Sequence, residues 1–312
     1  MSGLGERLAD FGYATGWGLV KGLPEPMARG SFRFGADLAV RRDGPGVRQL
    51  RRNLQRVVPR AGPTELDQLV RDGLRSYARY WMETFRLPGM DHEDIYRRVD
   101  EVVVGSQLID AALDRGKGVV IALPHTGNFD VSGIWLVGHA GGFTTVVERL
   151  KPESLYERFM AYRVSLGFEI IPASGGNVAP YRVLIERLRG NGIVCLPAER
   201  DLSERGVPVT FFGAETRMPA GPARLAALTG AQLLIGENSF TDDGWGLRLH
   251  TPIPVHGRDE VAAATQRMAD SFAADIAANP VDWHMMQKLW LADLSDEHRA
   301  GLTGKQGARE SR

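Results

Sequence analysis

A single cysteine, Cys195, is the only thiol in the 312 residues. One thiol closes no internal disulfide, which agrees with a reducing compartment. It lies in the apolar run GIVCLP and reads as a buried structural group. Lysine is scarce as well: Lys21, Lys117, Lys151, Lys288 and Lys305 are the only ones among 38 basic residues, so positive charge here is arginine charge. Neither sign is in excess, since 38 acidic residues balance the basic ones, and net charge selects no class of partner. No apolar window reaches the roughly 18 residues that a bilayer span needs. The N-terminus shows no basic region ahead of a long apolar one, so neither a spanning helix nor a signal peptide is expected. No G-x-S-x-G elbow occurs for a serine nucleophile. None of the histidines 92, 139, 250, 256, 284 and 298 stands four residues from His125, and no metal is expected.

Charge is present in its distribution. Between Arg29 and Arg60 stand nine arginines (29, 33, 41, 42, 48, 51, 52, 56 and 60) against Asp37 and Asp43. Such an excess suits an anionic surface, either lipid headgroups or nucleic acid, or else a solvated helical face. The first third has helical patterning. Leu4, Leu8, Phe11 and Trp17 fall roughly on one face of a glycine-rich segment that is either an interfacial anchor or a helix packed on its own domain. TELDQLVRDGLRSYARYWMETFRL predicts a strong helix with Thr64 as N-cap and a stripe of Leu66, Leu69, Val70, Leu74, Tyr77 and Trp81.

From about residue 100 the rhythm changes to short apolar runs at 118–123, 143–148, 168–172, 192–197, 207–212, 231–236 and 245–250. Helical stretches separate most of them. This alternation predicts an α/β fold with a central, mainly parallel or mixed β-sheet covered by helices on both faces. One domain over 1–302 is expected: a helical N-terminal part to about residue 100, then a core over 101–295. The tail 303–312 is polar and expected to be disordered.

Chemistry gathers at PHTGNFD, which follows the run at 118–123. Ligands of α/β sheets collect at the carboxyl ends of strands. His125 is therefore placed on that rim, with Asp130 in the first turn of the next helix, where the helix dipole favours a carboxylate. Reaching back, Asp130 would fix the tautomer of His125 and leave the other nitrogen to accept a proton. Gly127 would let the backbone approach a ligand, and the amides near Asn128 and Phe129 would stabilise developing negative charge.

PHTGNFD resembles the H-x4-D block of the glycerolipid and lipid A acyltransferase superfamily. Further segments are similar too: VVERLKPESLYERFMAYRVSLGFEIIP, IVCLPAERDLSERGVPVTFFG, RMPAGPARLAALTGAQLLI and PVDWHMMQKLW. They cover nearly the whole chain and resemble most the actinobacterial branch that acts on phosphatidylinositol mannosides. The E-G-T-R-S block of the glycerophosphate branch is absent, and PAERD stands in its place. The resemblance implies a peripheral enzyme at the cytoplasmic face of the plasma membrane. It would move a long acyl chain, palmitoyl by preference, from acyl-CoA as co-substrate to a mannose 6-hydroxyl, with no permanently bound cofactor. Carried onto this sequence, it makes His125 the general base, Asp130 its orienting partner and Glu199 a second carboxylate of the site. Arg163 and Arg205 would serve the thioester and the coenzyme A phosphates, and Glu148 would contact the sugar.

Each of these residues also has a plainer reading. Glu199 with Arg200 makes a surface ion pair, Arg163 a solvated helical arginine, Arg205 beside Gly206 part of a turn. Trp283, His284 and Trp290 read as core and rim packing. A lipid A-type acyltransferase is the nearest competitor, and a non-catalytic acyl-CoA or lipid binder on the same scaffold is the rival from another class. Nucleic acid is not expected as a partner, because no recognised nucleic-acid signature accompanies the arginines. Oligomeric state is unreadable.

Overall fold

The computed structural model describes residues 20, 22–148, 153–174, 179–297, 299 and 302. The segment holding Leu4, Leu8, Phe11 and Trp17 lies outside these residues, as does the tail 303–312. Helices α1 (Glu25–Arg42), α2 (Pro45–Val57) and α3 (Pro63–Arg86) come first. Both α2 and α3 begin on a proline, whose missing N–H costs nothing in the first turn and whose fixed φ is already helical. Pro63 thus sets the start of α3 with Gly62 as the capping residue, and Thr64 lies inside the first turn instead of capping it. Leu66, Val70 and Leu74 of α3 bury against Leu50 and Leu54 of α2 and Ala36 of α1. Helix α4 (His92–Asp100) is capped by the Asp91 carboxylate, which accepts from the amides of Glu93 and Asp94. Helix α5 (Gln107–Asp114) then leads into the sheet.

The remaining order is β1 (Val119–Leu123), α6 (Phe129–Ala140), β2 (Thr144–Val147), α7 (Glu153–Ser165), β3 (Glu169–Pro172), α8 (Pro180–Arg189), β4 (Ile193–Pro197), β5 (Val207–Phe211), β6 (Ala214–Met218), α9 (Gly221–Thr229), β7 (Gln232–Phe240), β8 (Trp245–Leu249) and α10 (Val261–Ala278). Six strands form one sheet in the order β3-β2-β4-β1-β7-β8, parallel throughout except for β8, which returns antiparallel on β7. Val120, Ala122 and Val194 pack to one side with Leu225 and Phe272 of α9 and α10. Val119, Ile121 and Ile193 pack to the other with Ile134 of α6 and Tyr162 of α7. Burial on both faces explains why these strands read as unbroken apolar runs, each Val or Ile contributing about 1.5–3 kcal/mol when fully buried. Cys195 sits in β4, buried, and burial pushes its thiol pKa far up, which makes it inert.

Strand β6 has no counterpart among the apolar runs. Its sequence, AETRM, hides Thr216 and Arg217 because β5 and β6 form a separate two-stranded hairpin. Phe212 and Gly213, at φ 49 and 72, make its two-residue turn. Arg217 Nη1 donates to the carbonyl of Gly206 at 3.0 Å, so this charge is buried with a partner.

Candidate active site

Strands β1 and β4 are neighbours in the sheet, with Leu123 beside Pro197. Two residues further on, the same register sets His125 beside Glu199. Glu199 is buried, and both of its oxygens lie 2.8 Å from His125 Nδ1; Oε1 also accepts the His125 backbone N–H at 2.8 Å. A carboxylate only accepts, so Nδ1 carries the proton and Nε2 is left with its lone pair. The imidazole keeps 45% of its side-chain surface open. Glu199 is therefore the residue that holds the ring, and it is no surface ion pair; Arg200 instead donates from Nε to the Lys288 carbonyl at 2.8 Å.

Asp130 does not hold the imidazole. Its side chain, 1% exposed, accepts from Arg163 Nε at 3.0 Å and from Tyr162 Oη at 3.2 Å, with Tyr80 Oη at 3.5 Å. The reason lies in α6, where Asp130 points inward from the first turn towards α7 and α3 while His125 stands on the strand end. Arg163, expected at the donor's thioester or phosphates, is 17% exposed on its side chain and committed to that carboxylate. The pair supports the site from below. The Arg163 guanidinium stacks over Phe129 at 5.6 Å, and the Phe129 ring meets the His125 ring edge-on at 5.9 Å. Burial raises Tyr162 and Tyr80 well above the usual phenol range, with Asp130 adding to it, so both phenols stay protonated donors.

Glu148 follows β2 directly and is exposed; its charge reaches His125. Arg205 is exposed on the turn before β5, its amide bonded to Ser203 Oγ at 3.1 Å, and no contact joins it to His125. Gly127, at φ 52, is needed for a different close approach from the one expected. A Cβ there would meet the backbone of Asn238 and Ser239 at 2.8 Å, so the glycine seats the loop on β7.

Burial works hardest against a charged His125, but the charge and hydrogen bond of Glu199 together win and raise its pKa above the ordinary imidazole value. Arg163 opposes that rise, and Glu148 adds to it. A general base acts when deprotonated, so kcat/KM should fall as pH drops through this raised pKa. Removing the charge in Glu199→Gln should move that limb to lower pH and reduce the rate on the plateau. A pH profile with an unmoved limb in this variant would detach Glu199 from the base.

Two buried residues carry the site without any motif to announce them. Glu83 of α3 accepts from Asn128 Nδ2 at 2.7 Å, Trp245 Nε1 at 2.8 Å and Arg79 Nε at 2.8 Å. Asn128 in turn caps α6 through Val131 N at 3.3 Å. Asp282 accepts from Ser76 Oγ and the Phe240 amide, each at 2.7 Å. Tyr77 and Trp81, assigned to a core stripe, are only part-buried, and Tyr77 packs its ring against His284 at 5.3 Å.

Among the described residues, one group offers three metal-ligand side chains, Glu237, His250 and Asp275, on the sheet face that α10 covers. His250 Nε2 lies 3.1 Å from Asp275 and 3.7 Å from Glu237, and Arg248 stands 3.5 Å from Glu237. Asp275 foremost, then Glu237, raise His250 to about 9. Two cations thus balance two carboxylates, and the group is self-neutralising.

A mostly parallel sheet covered by helices on both faces is the scaffold expected of the acyltransferase superfamily. Residues 5–292 match the family described as bacterial lipid A biosynthesis acyltransferase, and the chain belongs to that family. A phosphatidylinositol mannoside acyltransferase of Mycolicibacterium smegmatis (strain ATCC 700084 / mc(2)155) is 54% identical over 299 residues, covering 96% of this chain and 97% of that protein. A protein of the same name from Mycobacterium tuberculosis (strain CDC 1551 / Oshkosh) is 53% identical over 299 residues, covering 95% and 93%.

Proposed function

We propose that this chain transfers a long acyl group, palmitoyl by preference, from acyl-CoA to the 6-hydroxyl of a mannose on a phosphatidylinositol mannoside. The observation that carries the reading is His125, locked by Glu199 with Nε2 unprotonated and 45% of its side chain open, in a chain more than half identical to proteins named phosphatidylinositol mannoside acyltransferase. In the reaction Nε2 takes the proton of the sugar hydroxyl as its oxygen attacks the thioester carbonyl. The C–O bond forms, the C–S bond breaks, and the thiolate leaves with the proton returned from His125. A thiol of pKa about 8.5 is a good leaving group, so no acyl-enzyme is needed. The amides opening α6 are assigned to stabilisation of the oxyanion. Arg205, exposed, is assigned to the coenzyme A phosphates and Glu148 to the sugar. Asp130 and Arg163 are assigned to support of the site.

Mass spectrometry of lipid products tests this. Given palmitoyl-CoA and an extract containing phosphatidylinositol mannosides, the wild-type protein should add one palmitoyl to the mannolipids, with sequential kinetics. Acyl mass appearing on the protein with palmitoyl-CoA alone would overturn direct transfer. Coenzyme A binding without any lipid product would favour the non-catalytic binder.

We further propose that the protein works at the cytoplasmic face of the plasma membrane, lying on it. No helix among the described residues is long and apolar enough to cross a membrane. On α1 Met27 and Phe34 are 58% and 69% exposed, beside exposed Arg33, Arg41 and Arg42. Not all of the arginine run is open to lipid. Arg51 pairs with Asp67, and Arg56 grips Asp293 through both terminal nitrogens at 2.8 and 2.9 Å while stacking on Trp290. Each arginine near an anionic surface contributes about 1 kcal/mol. Sedimentation with anionic vesicles should therefore weaken as salt rises and in the Arg41→Gln/Arg42→Gln variant. Undiminished binding there would assign attachment to the apolar side chains.

A further inference from the structure

The segment around Trp283 runs antiparallel beside the catalytic loop. Thr126 bridges Trp283, and the His284 amide donates to the His125 carbonyl at 3.0 Å. In that register His125 and His284 stand directly opposite each other, so their side chains share one side of the pair with Cβ atoms about 5 Å apart. Ring contacts agree. Tyr80 meets Phe129 at 5.1 Å and His284 at 5.8 Å, and Phe129 borders His125.

The tautomer of His284 follows from its partners. Ser76 Oγ donates to Asp282 Oδ1 at 2.7 Å and lies 3.0 Å from His284 Nε2. A hydroxyl has one proton; with it given to the carboxylate, Oγ accepts from the ring. His284 therefore carries its proton on Nε2, and Nδ1 is a bare lone pair that no donor meets among the described residues. Asp282 is itself fixed, 4% exposed and bonded to the Phe240 amide. Burial first, and then the neighbouring His125, bring His284 down to about 3. It stays neutral while the imidazole beside it takes up a proton.

We propose that His284 binds the acceptor: its Nδ1 accepts a hydrogen bond from a hydroxyl neighbouring the one that His125 deprotonates. The inference rests on the sugar acceptor proposed above and adds a specificity rule, that the site grips a pair of hydroxyls and not a lone alcohol. A primary hydroxyl turns about its exocyclic bond. Anchoring a second hydroxyl of the same sugar holds the reacting oxygen against His125 Nε2, which is where orientation raises a rate.

The test uses the full chain, palmitoyl-CoA and synthetic phosphatidylinositol monomannosides, one complete and others each lacking one non-reacting mannose hydroxyl. His284→Gln retains a donor for Ser76 and removes the acceptor at the Nδ1 position. It should lower kcat/KM on the complete acceptor about tenfold or more, the scale of one lost substrate hydrogen bond to a buried group. On one deoxy acceptor, which cannot make the bond, wild type and variant should differ by less than about threefold. An equal loss on every acceptor means a structural role and overturns the inference, as does no loss. Wild-type protein inert towards all of the mannosides would defeat the proposed acceptor, and this inference with it. Should His284→Gln melt below the assay temperature, Ser76→Ala unlocks the tautomer and should blunt the same discrimination; unchanged discrimination in that variant overturns the inference.

Discussion

Turnover of the His125→Asn variant is expected to fall by about 10²–10⁴-fold, the contribution of a positioned general base. Asparagine is the sharper substitution because its amide N–H sits near the Nδ1 position and still satisfies Glu199. His125→Ala would leave that buried carboxylate with only the backbone amide, and so mixes loss of the base with loss of support. Both variants should keep the fold, since the imidazole is nearly half open to solvent. The comparison is a single-turnover rate alongside a thermal melt. Turnover within a factor of a few of wild type in a folded His125→Asn protein would remove His125 from the chemistry.

The second large effect is on stability and belongs to Asp130. Deleting one partner of a buried ion pair strands the other charge, and Asp130→Ala or Arg163→Met should each cost about 3–5 kcal/mol. Two phenols lose their acceptor with Asp130 as well. Because the residues share one network, the double variant should cost clearly less than the sum of the singles. Chemical denaturation of the four proteins measures this directly. Additive costs, or singles below about 1 kcal/mol, would show that the pair carries little of the fold. The same variants separate the two acidic residues of the site. Asp130→Ala should leave the pH at which the base titrates close to that of wild type, whereas Glu199→Gln should shift it.

These contrasts show what local spacing conveys. Four residues separate His125 from Asp130, and in sequence they look like partners. Once α6 begins at Phe129, the aspartate turns into the space between α3 and α7, towards Tyr80, Tyr162 and Arg163. The true partner of the imidazole is 74 residues away, and only the parallel pairing of β1 with β4 brings it alongside. The resemblance placed Glu199 at the site as a second carboxylate holding the base or the sugar, and the register makes it the residue that holds the base. Glu83 carried no signal at all: it sits within a helical pattern, and its value lies in three donors that arrive from α3, the loop between β1 and α6, and β8. His284 was hidden in the same way inside an apolar-aromatic stretch that looks like packing, as Trp283 and Trp290 are.

By itself the sequence determined the periodicities, and with them the alternating α/β order, the strand that leads into PHTGNFD and the candidate residues that follow it. Those are local properties, because burial on both faces of a strand or one face of a helix is printed in successive residues. Tertiary structure alone decided which carboxylate meets His125, which arginines remain open to a surface, and that a second, neutral imidazole stands beside the first. Each of those depends on strand register and helix orientation between segments far apart in the chain. There a shift of one residue reverses the direction of every side chain.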